Sequence, residues 1–505
     1  MSIVARARAM GVTALVSMAM TPGALRAQST VPLRDYLVLV ASESVDRVAL
    51  IRFGASGARI ERERYVGWSS MEVAGPHGVA VAPNAKAYFV TTAHGTPFGR
   101  LTRFNVETNA AEGSVMLGNF PATAQVTPDG SLVFVVNFNL HGEMETSDVS
   151  VVAANEMVEI ARINTCTMPH GSRISTDGTK HYSACMMDEQ LVEIDTRALS
   201  VSRHFFLTKG EEKGMTGAPT ARRATAHAGH DMGGHGMEPP KPGDVSCSPT
   251  WAQPSRDGTR VWVACNKSSE IVEIDTKSWR LVRRLPAGPG VYNLGVTHDG
   301  TKLIATNKRD ASVSVFDATS GTELARIPTT RKVVHGVAIS DDDRYAFISV
   351  EGIGSEPGTV DVIDLVTLKK VASVDVGQQA GGIDFVRSEP ARLLEAEPVP
   401  RTNDRRGEAY VSSFLDQSST ARPGTRIMCF RFAVTNTHPA ASACAAMAAS
   451  KSSIRSPLRS SAALTTAKAS LTSSVHSARR ISYFRSSNRD VSASFLLDRA
   501  SRWIP

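Results

Sequence analysis

The amino-acid sequence predicts an all-β fold: a seven-bladed β-propeller closed by N- and C-terminal strands, with a disordered C-terminal tail. Three features of the 505 residues point there. A short pattern recurs as DGSLVFVVN (129–137), DGTKHYSAC (177–185), DGTRVWVAC (257–265) and DGTKLIATN (299–307), with degenerate copies at 84–92 and 342–350. Each copy leads into a second short apolar run, such as LVEIDTRAL, IVEIDTKSW or VDVIDLVTL, and then a third. A final innermost strand near Gln379 lacks these partners, while three unmatched runs stand at the other end of the chain.

Asp-Gly supplies a tight turn between strands, because glycine tolerates positive φ. The flanking runs are short, β-branched and bounded by turn residues, as strands are. A unit of four such strands cannot bury its faces alone, so copies must stack. Radial stacking leaves only short, protected edges. The innermost strands are expected to start at Pro76, Pro121, Pro169, Pro249, Val291 and Val334, at intervals of 45, 48, 80, 42 and 43 residues. A seventh starts near Gln379, and its missing partners are DYLVLVAS, RVALIRF and RIERERYV within residues 35–66. One blade is therefore expected to be built from both ends, and opening it would expose two unpaired edges. The propeller is placed at residues 35–387, with residues 209–246 as an inserted His/Met-rich loop.

The DG turn, a strand ending in Asn as in DGTKLIATN, the V-x-V-I-D run and a Thr-rich turn resemble the YVTN-type β-propeller repeat proteins. The resemblance covers roughly residues 35–387. It implies an exported seven-bladed propeller, and it implies fold better than chemistry. The strand ends SACMM and VACNK depart from the family letters.

The outer segments read differently. Residues 1–27 combine Arg6 and Arg8, the apolar run AMGVTALVSMAM and a small residue, Ala27, as a removed secretory signal does. The run is too short for a permanent membrane anchor, so no membrane span is expected. The net charge of +7 suggests a nucleic-acid binder. Residues 441–505 hold ten Lys or Arg against two acids, however, so the charge belongs to the tail and no nucleic-acid partner is expected. Residues 388–505 have a Ser/Ala/Arg-rich composition that cannot bury a core, which predicts a disordered or non-native segment.

Chemistry concentrates on one predicted face. His77, His170 and His335 each precede glycine at an innermost-strand start, where other blades carry Ala122, Thr250, Tyr292 and Ala380. Neighbouring loops bring His94 and His141, and the stretch HAGHDMGGHGME adds His227, His230, Met232, His235 and Met237. Imidazole with thioether suits copper; imidazole with carboxylate suits zinc or iron. A glycine-spaced loop can wrap an ion, although compositional bias also yields such tracts. His before Gly can equally hydrogen-bond a neighbouring blade. In an exported chain Cys166, Cys185, Cys247 and Cys265 are expected to form disulfides. Of three connectivities, 166–185 and 247–265 are favoured, each worth roughly 3 kcal/mol. CTMPH lacks the second cysteine of a c-type haem motif.

The expected function is an exported, monomeric scaffold that binds a small molecule, a transition metal (copper or zinc) or a protein partner on its loop-rich face. The alternative is a copper-type oxidoreductase, and behind it a lactonase-like hydrolase using Glu143 and His170.

Overall fold

The computed structural model describes residues 31–69, 71–94, 98–140, 142–219 and 244–391. Their strands form seven antiparallel sheets, six of four strands and one of five. The innermost strands of blades one to six are Pro76–Val81, Pro121–Val126, Pro169–Ile174, Pro249–Pro254, Val291–Val296 and Val334–Ile339, starting at the expected residues. Blade seven takes its innermost strand, Ala380–Pro390, from the C-terminal side and its other three, Arg34–Ser42, Arg47–Gly54 and Gly57–Tyr65, from the N-terminal side.

Two local devices recur in the blades. In blades two to five the turn from first to second strand uses a hydroxyl, an acid and a glycine. Thr127, Ser175, Ser255 and Thr297 donate to Asp129, Asp177, Asp257 and Asp299, and glycines 130, 178, 258 and 300 take φ of 72–75°. The turn from third to fourth strand uses the Asp of the I-D-T run as an acceptor: Asp195 takes the N–H groups of Arg197 and Ala198, and Asp364 those of Val366 and Thr367. Such side-chain acceptors replace backbone partners in tight turns.

Burial follows the blade interfaces. Seven apolar clusters each join two adjacent blades; one packs Tyr36, Ile51 and Phe53 of blade seven against Tyr345, Phe347 and Val362 of blade six. An eighth cluster is different: Ala93, Phe120, Ala122, Phe138, Leu140, Met168 and Met186 gather at the end where the innermost strands begin.

Closure pairs Arg34 with Pro390 and Ser42 with Ala380, so the strand continues past the expected end at Arg387. Arg52, 1% exposed, ties the two ends together by ion pairs to Asp35, Glu61 and Glu389. The insertion is not loop throughout, because Lys213–Thr216 adds a fifth strand to blade three, paired with Ser200–Phe206. The disulfides join Cys166 to Cys185 and Cys247 to Cys265, as favoured. No helix among the described residues is long and apolar enough to cross a membrane. The segment expected to be a secretory signal (1–27) lies outside the described residues, as does everything beyond 391.

Candidate functional site

The residue before every innermost strand has positive φ: Gly75, Phe120, Met168, Ser248, Gly290, Val333 and Gln379. This left-handed step turns the chain into the centre. The ladder to the second strand then skips, between Pro76 and Val79 in blade one and between Pro169 and Ser172 in blade three. Such a bulge re-aims side chains, and the re-aimed residues are His77, Ala122, His170, Thr250, Tyr292 and His335. Blade seven contributes Gly381 rather than Ala380, since Ala380 occupies the pairing position of Pro76.

The same bulge stitches the ring. Thr123 Oγ1 donates to the His170 carbonyl, Thr250 to Tyr292, and Thr306 to His335. The glycine after each histidine has a steric cause. A Cβ on Gly78 would lie 2.1 Å from the Ala122 carbonyl, and one on Gly171 2.3 Å from that of Thr250.

A second tier lies above the first. The residue after each second strand is Glu43, Ala93, Phe138, Met186, Asn266, Lys308 or Glu351. Blades one to three thus give an apolar wall of Ala93, Phe138 and Met186, joined by Phe120. Blades four to seven give a polar wall of Asn266, Lys308, Glu351 and Glu43.

The imidazoles meet between these walls. The His77 ring lies 6.0 Å from that of His170 and 5.6 Å from that of His335. Tyr292 stands between the other two, 5.4 Å from His170 and 4.9 Å from His335. Glu43 bridges His77 Nδ1 at 2.8 Å and His94 Nε2 at 2.6 Å. Burial alone would raise the Glu43 carboxyl, but the His77 charge and the hydrogen bonds from His77 and His94 outweigh it and hold the carboxyl far below its usual range. An ionised Glu43 can only accept, so His77 Nδ1 and His94 Nε2 both donate to it, and His77 Nε2 is left for another partner. Burial opposes protonation of His94, yet the Glu43 hydrogen bond and charge raise its pKa.

His170 is oriented by its neighbours. Its Nδ1–H donates to the Thr250 carbonyl at 3.1 Å, and Nε2 accepts from Tyr292 Oη at 3.0 Å. Burial pushes the Tyr292 hydroxyl up to about 12. Lys308 lies 4.3 Å from the Tyr292 ring centre and 2.9 Å from Glu351 Oε1. Its burial disfavours charge, but Glu351 more than compensates and raises its pKa.

Of the predicted ligands, His77, His94, His170 and His335 come together. His141, His227, His230, His235, Met232 and Met237 lie outside the described residues. Glu143 is exposed on its loop while His170 is buried, so the proposed hydrolase pair sits in unlike surroundings. Cys166, Cys185, Cys247 and Cys265 are consumed in disulfides rather than ligation. Glu43, Lys308 and Glu351 escaped the sequence reading. Their signal in the sequence is a shared position, one residue beyond each second strand. No group of three or more His, Cys, Asp or Glu among the described residues is placed to hold a metal ion.

Residues 298–395 match the profile of the Cytochrome D1 heme domain family, a span under half of the chain that contributes Lys308, His335 and Glu351. No curated protein matches significantly. Among solved structures the chain is similar to the periplasmic gluconolactonase of Pseudomonas aeruginosa, at 16% identity and TM-score 0.51, covering 70% of this chain and 99% of that one. It is similar also to a functionally unknown protein from Desulfotomaculum acetoxidans DSM 771, at 14% identity, TM-score 0.50 and coverages of 70% and 99%. Hydrazine synthase of Kuenenia stuttgartiensis gives 19% identity, TM-score 0.46 and coverages of 63% and 91%. These likenesses concern the propeller fold.

Proposed function

We propose that this chain is an exported propeller of the YVTN type whose histidine recess binds a metal-bearing, planar organic ligand. The observation that carries the reading is the Glu43–His77 pair. A carboxylate that fixes the N–H of one imidazole nitrogen and leaves the other as a lone pair is the usual outer support of a metal-bound histidine. One such imidazole, with no three-donor group beside it among the described residues, suits a metal already held by its own chelating ligand better than a bare copper or zinc ion. The two walls fit the same ligand, with Phe120 and Phe138 offering aromatic contact and Lys308 a cation for an acidic substituent. The partial match to a heme domain supports a tetrapyrrole as that ligand. His77 would hold the metal of such a ligand, with His170 and His335 5.6–6.0 Å away beside it, and the metal would supply Lewis-acid or redox chemistry there. Export is supported by the leader-like start and by two disulfides, which form in oxidising compartments.

The test is a hemin titration of the purified mature protein beside metal analysis. A saturable Soret shift lost in His77→Ala supports the reading. Stoichiometric copper or zinc lost on deleting residues 225–238 supports a chelating loop instead. Neither signal, with turnover of a simple lactone, moves the assignment to the hydrolase.

A further inference from the structure

Next to the histidine tier, and continuous with it, the propeller axis holds further polar groups that the proposed function leaves without a role. Arg173 stands three residues beyond His170 on the same strand, about 10 Å further along. It lines an axial cavity of about 30 Å³ together with Trp251, Asn293 and Gln125, and His77 and His335 of the histidine tier line the same cavity. Its guanidinium stacks on Trp251 at 4.7 Å and makes one hydrogen bond, to the Ser172 carbonyl at 3.3 Å. Five donors are not satisfied by one such bond. Asp384 is the acid whose field reaches it, but no ion pair within 4.0 Å joins the two among the described residues. The Asp384 carboxylate is taken up by the N–H groups of Val81 and Phe385. Arg256 adds a second cation to that field, itself facing Asp343.

Two more polar groups, one donor and one acceptor, are idle. The Trp251 indole N–H, in a residue 5% exposed, has no acceptor. Asn293, 3% exposed, has a buried side-chain oxygen without a partner. Turning this amide about its last torsion exchanges oxygen and nitrogen and puts the NH2 in that place. Buried polar groups without partners are few in native proteins and point to an absent water or ion. A cavity of about 30 Å³ has room for roughly two waters, or for one small ion.

We infer that this axial cavity is a subsite for one compact monovalent anion, supplied as a free ion or as the carboxylate arm of a ligand in the recess above. Arg173 is its anchor, and Trp251 and Asn293 complete the donor set. Burial pushes the Arg173 guanidinium down to about 10, the cost that a bound anion would relieve. The inference stands whether or not a metal-bearing ligand binds above, since the readout below needs none.

The experiment is chloride-35 NMR line broadening on the full chain, with bromide-soaked crystals in parallel. Wild type should show saturable excess linewidth, displaced by formate, and an anomalous bromide peak between Arg173, Trp251 and Asn293. Arg173→Gln should weaken chloride by about tenfold or more, the scale of a lost charge-assisted hydrogen bond. Should that variant fail to fold, Asn293→Leu fills the cavity without removing charge and should abolish the broadening. Displacement by formate but not hexanoate identifies a free-ion site; displacement by both identifies a carboxylate-arm site. Absence of saturable broadening in wild type, full binding in a folded Arg173→Gln, or only water in the bromide crystals overturns the inference.

Discussion

Glu43 shows how one carboxylate organises several imidazoles, and its chemistry sets a pH window. His94 has a raised folded pKa, so its share of stability is complete below the ordinary value of 6.5 and is lost as pH rises through the raised one. Glu43 has a lowered folded pKa, so its share is complete above the ordinary 4.5 and is lost as pH falls toward the folded value. The pair therefore contributes most between about 4.5 and 6.5. Glu43→Gln should lower the His94 pKa toward its ordinary value by NMR titration, and cost about 3 kcal/mol by chemical denaturation near pH 6. A wild-type His94 titration curve in the variant would refute the bridge. His181 acts in the opposite sense. It is buried and stacked on Phe134, and burial lowers its pKa to about 3. The unfolded chain takes up that proton near 6.5 and the folded one does not, so stability drains as pH falls from 6.5 toward 3. At about pH 4.5 the loss is on the order of 3 kcal/mol. His181→Phe should flatten the melting temperature against pH over that interval; an unchanged slope would assign acid sensitivity elsewhere.

At the scale of the strand, the start of each innermost strand decides both packing and site. The Cβ of Gly171→Ala would meet the Thr250 carbonyl at 2.3 Å and the Trp251 ring at 2.2 Å, neither of which can yield cheaply. Gly258→Ala meets nothing within 4 Å and suffers only its φ of +72°, about 1–2 kcal/mol. Urea denaturation should place Gly171→Ala at more than twice the cost of Gly258→Ala, and equal costs would deny that blade contact selects the glycine. The contrast also explains what the sequence made legible. Asp-Gly turns announce themselves because their chemistry is local, so the strands could be located. The x-His-Gly steps could be located too, but not explained, because the atom that forbids a side chain belongs to the next blade. For the same reason the spacing points to Ala380 where Gly381 stands: a bulge shifts facing by one residue and leaves no mark in composition. Glu43 was invisible on a three-residue helical turn, Glu43–Val45, that reads as a mere connection. Its position one step past the second strand matches Lys308 and Glu351, so aligning the copies through that step, rather than through their turns alone, exposes the whole polar wall.

The whole molecule depends on a circle that neither end of the chain can complete. Blade number was readable because near-constant intervals and three unmatched runs are properties of the entire sequence. Recess depth was not, because it arises from seven strands meeting at an axis. Ala380–Pro390 pairs with Arg34–Ser42 over nearly its full length, and Arg52 holds Glu389 on one side and Asp35 and Glu61 on the other. A chain stopped after Ala391 keeps these contacts; one stopped after Gln379 loses them and bares the inner edge of blade seven. That edge would be an unpaired template for other chains, and Arg52 would retain fewer counter-charges in a buried position. Removing a partner from a buried ion pair costs about 3–5 kcal/mol before any strand pairing is counted. The shorter chain should therefore melt at a lower temperature than the longer and elute as aggregates in size exclusion. Gly381 and its neighbour Gly382 also approach the His77 strand, where a Cβ on Gly382 would lie 2.3 Å from the His77 carbonyl. Losing this strand should thus disturb His77 and His335 while leaving the Asp-Gly turns of blades two to five intact. Hydrogen exchange should report protection lost first at residues 76–81 and 334–339, flanking the gap. Uniform loss around the ring would instead mean that the propeller opens as a single unit.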